Sequence, residues 1–430
     1  EEIKIDLKFS RFKGDGIIAF KGCTILSMDE DLPNQGIIKN GTVIIKNDRI
    51  VKIGKESRVK PPPGAKIING KGMYLLPGFI DLHSHMNLDR DIHRKTLWSF
   101  MVNLAYGVTT ARDPQSMDIN IFTYADRVAI GDMIGPRVFT TGPGIFNNSP
   151  VNNLEDAKRI VQKYSDYYRV NTVKQYLSGN RRHRQLLNMA IQDAQLIPTT
   201  EGMDMKLMVT QIMDGYSLEH TLPHYPLYKD MIELIVKSGT YYDPTVIVGT
   251  GPRAEYYYWT RTDVHGNKKL NHFFPHDILD LQTRRVPWFH ESEFSYKEYA
   301  KTFKNIVNAG GKIGVGSHGE MQGICYHWEL WNIQSGGMSE MDALRCATII
   351  GSEAIGFSND LGSIEEGKLA DLILLTKNPL DDIRNTNSIK YVMKNGILYN
   401  ADSLDEVWPT IKKLPPQYWH GKTPKHHDKY

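Results

Sequence analysis

The segment GFIDLHSHMNLDRD, residues 78–91, places two histidines one residue apart. They follow an apolar run, residues 73–80, interrupted by Pro77 and Gly78. On an extended strand, residues i and i+2 point to the same face. His83 and His85 therefore offer two imidazoles side by side at a strand end, a pair able to hold one metal ion. Further donors are spread along the chain: Lys174 in NTVKQY, Glu201 in PTTEG beside Thr199 and Thr200, His220 in LEH, and His318 in VGSHGE. Imidazole and carboxylate without cysteine make up the donor set of a catalytic transition-metal site rather than a structural zinc site. Each piece alone has an ordinary explanation. A His-x-His can be incidental, and a lysine inside a strand can be a partly buried cation. A Glu-His at a strand end can be a surface pair, and His318 can cap a turn. Their joint order and spacing argue for one site.

The elements that must position these residues are short apolar strands alternating with helices. Strands are predicted at 75–83, 107–112, 137–142, 171–176, 196–201, 216–221, 240–248 and 312–318. Helices such as 154–168 and 226–239 separate most of them. Such units suit an α/β fold, a (β/α)8 TIM-like barrel, whose active sites sit at the C-terminal strand ends. The candidate donors end the first, fourth, fifth, sixth and eighth strands. A long insertion, about 249–295, follows the seventh strand and faces that same end. Its Tyr257 and Trp259 are candidate substrate contacts as a lid wall, or anchors of the loop. Arg112, ending the second strand beside Asp113, is a candidate substrate contact or a salt bridge in the mouth.

Strand patterns flank the barrel on both sides. GTVIIKNDRIVKIGK (41–55) turns at Asn47-Asp48, and IKYVMKNGILYN (389–400) turns at Asn395-Gly396, both hairpin signals. A small β-sandwich domain built from both termini is expected, from residues 1–73 and 359–405. The barrel takes 74–358, and 406–430 form a basic tail with His420, His426 and His427.

A chain of 430 residues suits a large barrel with a satellite domain. Hydrophobic content of 40% and charged content of 23% are those of an ordinary globular protein. The near-balanced net charge of +3 gives no argument for nucleic acid or a charged membrane surface. No apolar run approaches the roughly 18 residues of a membrane span. Three cysteines, Cys23, Cys325 and Cys346, are too few for a disulfide framework and lack metal spacing. The first residue is Glu1, so an upstream segment or domain is expected.

The chain resembles the amidohydrolase superfamily over nearly its whole length. The resemblance lies in LLPGFIDLHSH (75–85), YGVTTARD (106–113), VKQY (173–176), DGYSLEH (214–220) and GSIEEGKLADLILLTKNPLDDI (362–383). SGGMSEMDALRCATIIGSEAIG (335–356) is similar to the helical stretch before the last of these. It looks most like amidohydrolase regions that follow a TolB-like β-propeller, which would imply an upstream propeller domain or chain and a periplasmic or secreted location; otherwise a cytoplasmic one is expected. The resemblance implies one or two divalent ions per chain, zinc first. His83 and His85 would bind the first, a carboxylated Lys174 would bridge, and His220 would bind the second. Two positions depart from the family pattern. The fifth strand usually ends in histidine, and here Glu201 is the best available ligand. The eighth usually ends in aspartate, and here His318 would serve as ligand and proton shuttle. The implied activity is hydrolysis of an amide-like C–N bond in a cyclic amide, dipeptide or related small molecule by a metal-activated water. The alternatives are a mononuclear esterase- or lactonase-like enzyme, or a metal-poor barrel kept for binding or assembly. A small-molecule substrate and a homo-oligomer are the expected partners.

Overall fold

The computed structural model describes residues 8–86, 88, 93–146, 149–176, 179–202, 204–221, 224–249 and 251–421. Five strands precede the site: β1 (Ile17–Leu26), β2 (Ile37–Lys46), β3 (Arg49–Lys55), β4 (Lys66–Asn69) and β5 (Tyr74–Pro77). The β2–β3 hairpin turns at Asn47, whose φ of 58° is the left-handed value such tight turns require. Eight short parallel strands follow: β6 (Phe79–Asp81), β7 (Val108–Asp113), β8 (Arg137–Thr140), β9 (Thr172–Tyr176), β10 (Ile197–Glu201), β11 (Ser217–Glu219), β12 (Tyr241–Asp243) and β13 (Lys312–Ile313). The chain closes with β14 (Leu372–Leu375), β15 (Ile389–Lys394), β16 (Ile397–Asn400) and β17 (Glu406–Trp408).

All eight expected inner strands are present, and they pair as two parallel sheets, β6-β7-β8 and β9 to β13. Backbone hydrogen bonds cross both seams. Ile145 bridges Gln175, accepting from Tyr176 N at 2.8 Å and donating to Lys174 O at 2.9 Å. Leu82 N donates to Val315 O at 2.9 Å. The last three inner strands are shorter than the sequence predicts; β11 and β12 end just before His220 and Thr245, where φ is positive.

The terminal strands form one nine-stranded sheet, in which β14 pairs with β5 in antiparallel register from Leu372↔Pro77 to Leu375↔Tyr74. Ile18, Val43, Leu75, Leu372 and Trp408 from both termini share its buried cluster. Removing each such side chain from water contributes about 1.5–3 kcal/mol. Gly78 joins this sheet to β6. A Cβ there would meet Thr109 Oγ1 at 2.1 Å, so the two sheets approach too closely for any side chain. The expected tail is ordered further than its composition suggests. β17 pairs with β16, and His420 and Trp419 meet the backbone oxygen of His272 at 2.9 and 3.0 Å. His426 and His427 lie outside the described residues.

Helices separate the inner strands: α1 (Trp98–Ala105), α2 (Asn120–Ala129), α3 (Leu154–Gln162), α4 (Arg181–Asp193), α5 (Met205–Met213) and α6 (Lys229–Ser238). Asn153, Asn180 and Asp204 cap α3, α4 and α5 by accepting from backbone N–H groups one turn on, as N-caps do. The insertion after β12 holds α7 (Ala254–Trp259), α8 (Lys268–Phe273) and α9 (His276–Thr283), followed by α10 (Tyr296–Asn308). Tyr299, Phe303 and Ile306 of α10 are buried at helical spacing. After β13 come α11 (Ile324–Gln334), α12 (Glu340–Cys346) and α13 (Ile349–Ala354). No helix among the described residues is long and apolar enough to cross a membrane.

Candidate metal centre

Asp81, the last residue of β6, sets the frame of the site. It accepts hydrogen bonds from His83 N at 3.1 Å, Ser317 N at 3.0 Å and Ser317 Oγ at 2.5 Å. One buried carboxylate thereby ties the turn after β6 to the turn after β13. Burial lifts its pKa to about 6 against the pull of these hydrogen bonds. Ser84 N donates to Arg112 O at 2.9 Å, and Gln322 Nε2 donates to His85 O at 2.8 Å, so both flanks of the His-x-His turn are held.

Four imidazoles converge on this frame. His83 Nε2 lies 3.2 Å from His85 Nε2. The ring centroids of His220 and His318 stand 4.7 and 5.1 Å from that of His83. One nitrogen from each of His83, His220 and His318 falls within 4.8 Å of the other two. His220 and His318 reach in through left-handed backbone, with φ of 70° and 59°. Such values are uncommon outside glycine and persist where surrounding structure enforces them, often at functional sites. His220 is secured by N–H donation to Asp243 O at 2.8 Å and by Nδ1 against Thr245 Oγ1 at 2.9 Å. His318 Nδ1 lies 3.1 Å from Glu320 Oε1. Gly319 follows at φ 75°, and a Cβ there would sit 2.5 Å from His85 O.

A ring of charge lies around the imidazoles. The register Glu201↔Glu219↔Asp243 brings carboxylates from three neighbouring strands into one row. Lys174 Nζ lies 2.6 Å from Glu219 Oε2 and 3.0 Å from Glu201 Oε2. Glu201 Oε2 also lies 2.9 Å from His220 Nε2, and Glu219 Oε1 accepts from Arg112 Nη2 at 2.7 Å. Burial, joined by the charges of His220 and Lys174, pushes the His83 pKa well below the usual range. Burial, aided by His318, takes His85 to about 3, and burial also lowers His318. Neutral imidazoles carry the free lone pair that a metal requires. Burial alone would raise Glu201, but the His220 hydrogen bond and the Lys174 charge bring it down to about 2.

These residues fit a divalent cation. Among the described residues His83 Nδ1 and both Asp243 oxygens are buried without a hydrogen-bond partner, and Lys174 Nζ, Glu201 Oε2 and Glu219 Oε2 meet one another and His220 as ion pairs. His83, His85, His220 and His318 offer nitrogen, and Glu201 offers oxygen.

All six residues expected as ligands, His83, His85, Lys174, Glu201, His220 and His318, come together. Glu201 pairs with Lys174 and His220, not with Lys206 or the 180–184 arginines. The three expected substrate contacts are each engaged with other protein groups. Arg112 is buried beneath the site, donating from Nε to Leu82 O at 2.7 Å and from Nη2 to Glu219. Trp259 is buried edge-on against Trp328, with ring centroids 4.7 Å apart. Tyr257 packs on Phe294 and Tyr296 beneath the Arg261 guanidinium. Sequence reasoning missed Asp81, Glu219 and Asp243. Each is an acid closing a strand, and Glu219, whose Glu-His sequence reads as a surface pair, is buried.

Residues 204–398 match the Amidohydrolase family. That span contains β11 to β13 and the turns bearing His220 and His318. Over 416 residues the chain is 23% identical to 5'-deoxyadenosine deaminase of Methanobrevibacter smithii, covering 84% of this chain and 86% of that protein. The fold is similar to that of molinate hydrolase, with a TM-score of 0.70 at 18% identity over 95% of this chain and 99% of the other. It is also similar to that of a Xaa-Pro dipeptidase, with a TM-score of 0.68 at 20% identity over 90% and 100%. The family match covers residues 204–398, and the solved structures share the α/β fold; the converging histidines lie at the strand ends of that fold.

Proposed function

We propose that the protein is a metal-dependent hydrolase of C–N bonds in a small amide-like substrate, such as a cyclic amide or a dipeptide. The observation that carries this is the convergence of four imidazoles from three separate turns, two of them in left-handed backbone. The two parallel sheets are taken as one (β/α)8 barrel, with residues 1–73 and 359 onward as its satellite domain. A divalent ion held by the histidines, zinc first, would lower the pKa of a water toward about 7 and polarise the substrate carbonyl. His318, steadied at Nδ1 by Glu320, has one lone pair, at Nε2, to give either to the ion or to the proton released on attack and passed to the departing amine. Lys174 and Arg112 balance the carboxylates beneath the imidazoles and keep the pocket floor near neutrality. A relative named as a deaminase supports C–N chemistry of this kind. Stripping metal with a chelator should abolish hydrolysis of a panel of cyclic amides and dipeptides, and added zinc should restore it. A chain that takes up no metal after zinc and bicarbonate would fit a binding or assembly scaffold instead.

The number of ions turns on Lys174. Carboxylated, it would bridge two cations, with Glu201 and His220 on the second. The grip of Glu219 and Glu201 on its Nζ favours a plain ammonium, because a carbamate would add a third anion at that point. This supports a single-ion centre on the histidines. Elemental analysis giving two metals per chain would reverse the choice.

A further inference from the structure

A side chain of the insertion after β12 reaches toward the metal centre. Arg253, immediately before α7, places Nη2 2.7 Å from Glu320 Oε1. That same oxygen lies 3.1 Å from His318 Nδ1. On its other side Arg253 Nε lies 3.2 Å from Oε1 of the buried Glu255. The contacts Glu255, Arg253, Glu320 and His318 thus form one line from the first helix of the insertion to a strand-end histidine.

The anchor of this line is firm. Tyr258 stacks on Trp328 of α11 with ring centroids 5.2 Å apart and planes at 9°, and its hydroxyl donates to Asn332 Oδ1 at 2.8 Å. Trp259 packs against the same indole. The start of α7, and Arg253 with it, is therefore fixed against the fold. The far end needs such support. His318 leaves β13 through left-handed backbone, so its ring direction depends on the Nδ1 contact. A histidine that donates Nδ1–H to a carboxylate presents the Nε2 lone pair, and the carboxylate in turn needs a partner to hold its orientation. Arg253 is that partner.

We propose that Arg253 is a positioning residue for His318, acting through Glu320, and that the insertion thereby completes the metal centre. The proposal rests on the metal-hydrolase reading. The test is a titration of cobalt(II) into the metal-free full chain, followed by its visible absorption, for the wild type, R253M, E320Q, the double variant and H318A. R253M and E320Q should each weaken cobalt binding by roughly 10- to 100-fold and alter the spectrum. The double variant should bind no more weakly than E320Q alone, since both act on one line. Melting of metal-free E320Q, which leaves Arg253 paired with Glu255, should change little, which separates positioning from general loss of structure. Wild-type affinity and spectrum in R253M overturn the proposal, as do losses that multiply in the double variant. If R253M does not fold, E320Q carries the same decision. A wild type that shows no cobalt binding overturns the metal-hydrolase reading as well, whereas tight wild-type binding with an unaffected R253M or H318A overturns the Arg253 link alone.

Discussion

His83 Nδ1 lies 3.4 Å from Asp243 Oδ2, with both side chains buried. The space that permits this comes from Gly316. A Cβ at that position would sit 2.4 and 2.5 Å from the two Asp243 oxygens and 2.5 Å from His83 Cβ. Gly316→Ala should therefore push Asp243 and His83 apart, costing about 1–3 kcal/mol of stability, as overpacking does, and lowering metal affinity. Urea unfolding and elemental analysis read both effects. A variant matching the wild type in both would mean the crowding is relieved elsewhere.

Lys174 and Glu219 form the closest ion pair beneath the histidines, at 2.6 Å. Removing one partner of a buried pair leaves an uncompensated charge and costs about 3–5 kcal/mol. Lys174→Met should approach this loss, softened by Arg112, which still holds Glu219. The K174M/E219Q double variant should recover part of the stability. A K174M protein that unfolds like the wild type but has lost one ion per chain would instead point to a carboxylated lysine.

Glu201 is held ionised, its pKa brought to about 2. Glu201→Gln preserves shape and removes charge. If the carboxylate is a ligand, bound metal and turnover should fall together. Unchanged metal content and turnover would leave Glu201 only as a partner of Lys174 and His220.

Stability should also depend on pH through a lysine far from the histidines. Lys394 is buried, with Nζ donating to Gly135 O at 3.0 Å. Burial first, and then the charge of Arg137, pushes its pKa down from the ordinary 10.5 to about 7. Between these values the unfolded chain holds the proton and the folded chain does not, so this group's contribution to stability rises with pH across that window. Below about 7 the charged amine is buried in the fold and the penalty is complete. Lys394→Met should raise the melting temperature most near pH 6, by a margin that shrinks toward pH 10. A margin independent of pH would sink this account.

Much of this arrangement could be read before any fold was known. Alternation of short apolar strands with amphipathic helices gave the places of β6 to β13, and placing function at C-terminal strand ends singled out His83, His85, Lys174, Glu201, His220 and His318. Both rest on local periodicity, which survives in one dimension. What stayed hidden depends on strands too short to show a period. β11, β12 and β13 have three, three and two residues, so alternation could not say which way Glu219 or Asp243 points. Their inward direction is set by the register Glu201↔Glu219↔Asp243 against neighbouring strands. Arg112 reads equally as a substrate contact or a salt bridge until Glu219 and the Leu82 carbonyl are found within its reach. Trp259 reads as a lid wall or a loop anchor until Trp328, 69 positions away, is found against it. The amino-acid sequence by itself determined the donor types and the strand ends that carry them. Only the tertiary structure decided which buried charges face one another, because burial and ion pairing are set by partners distant along the chain.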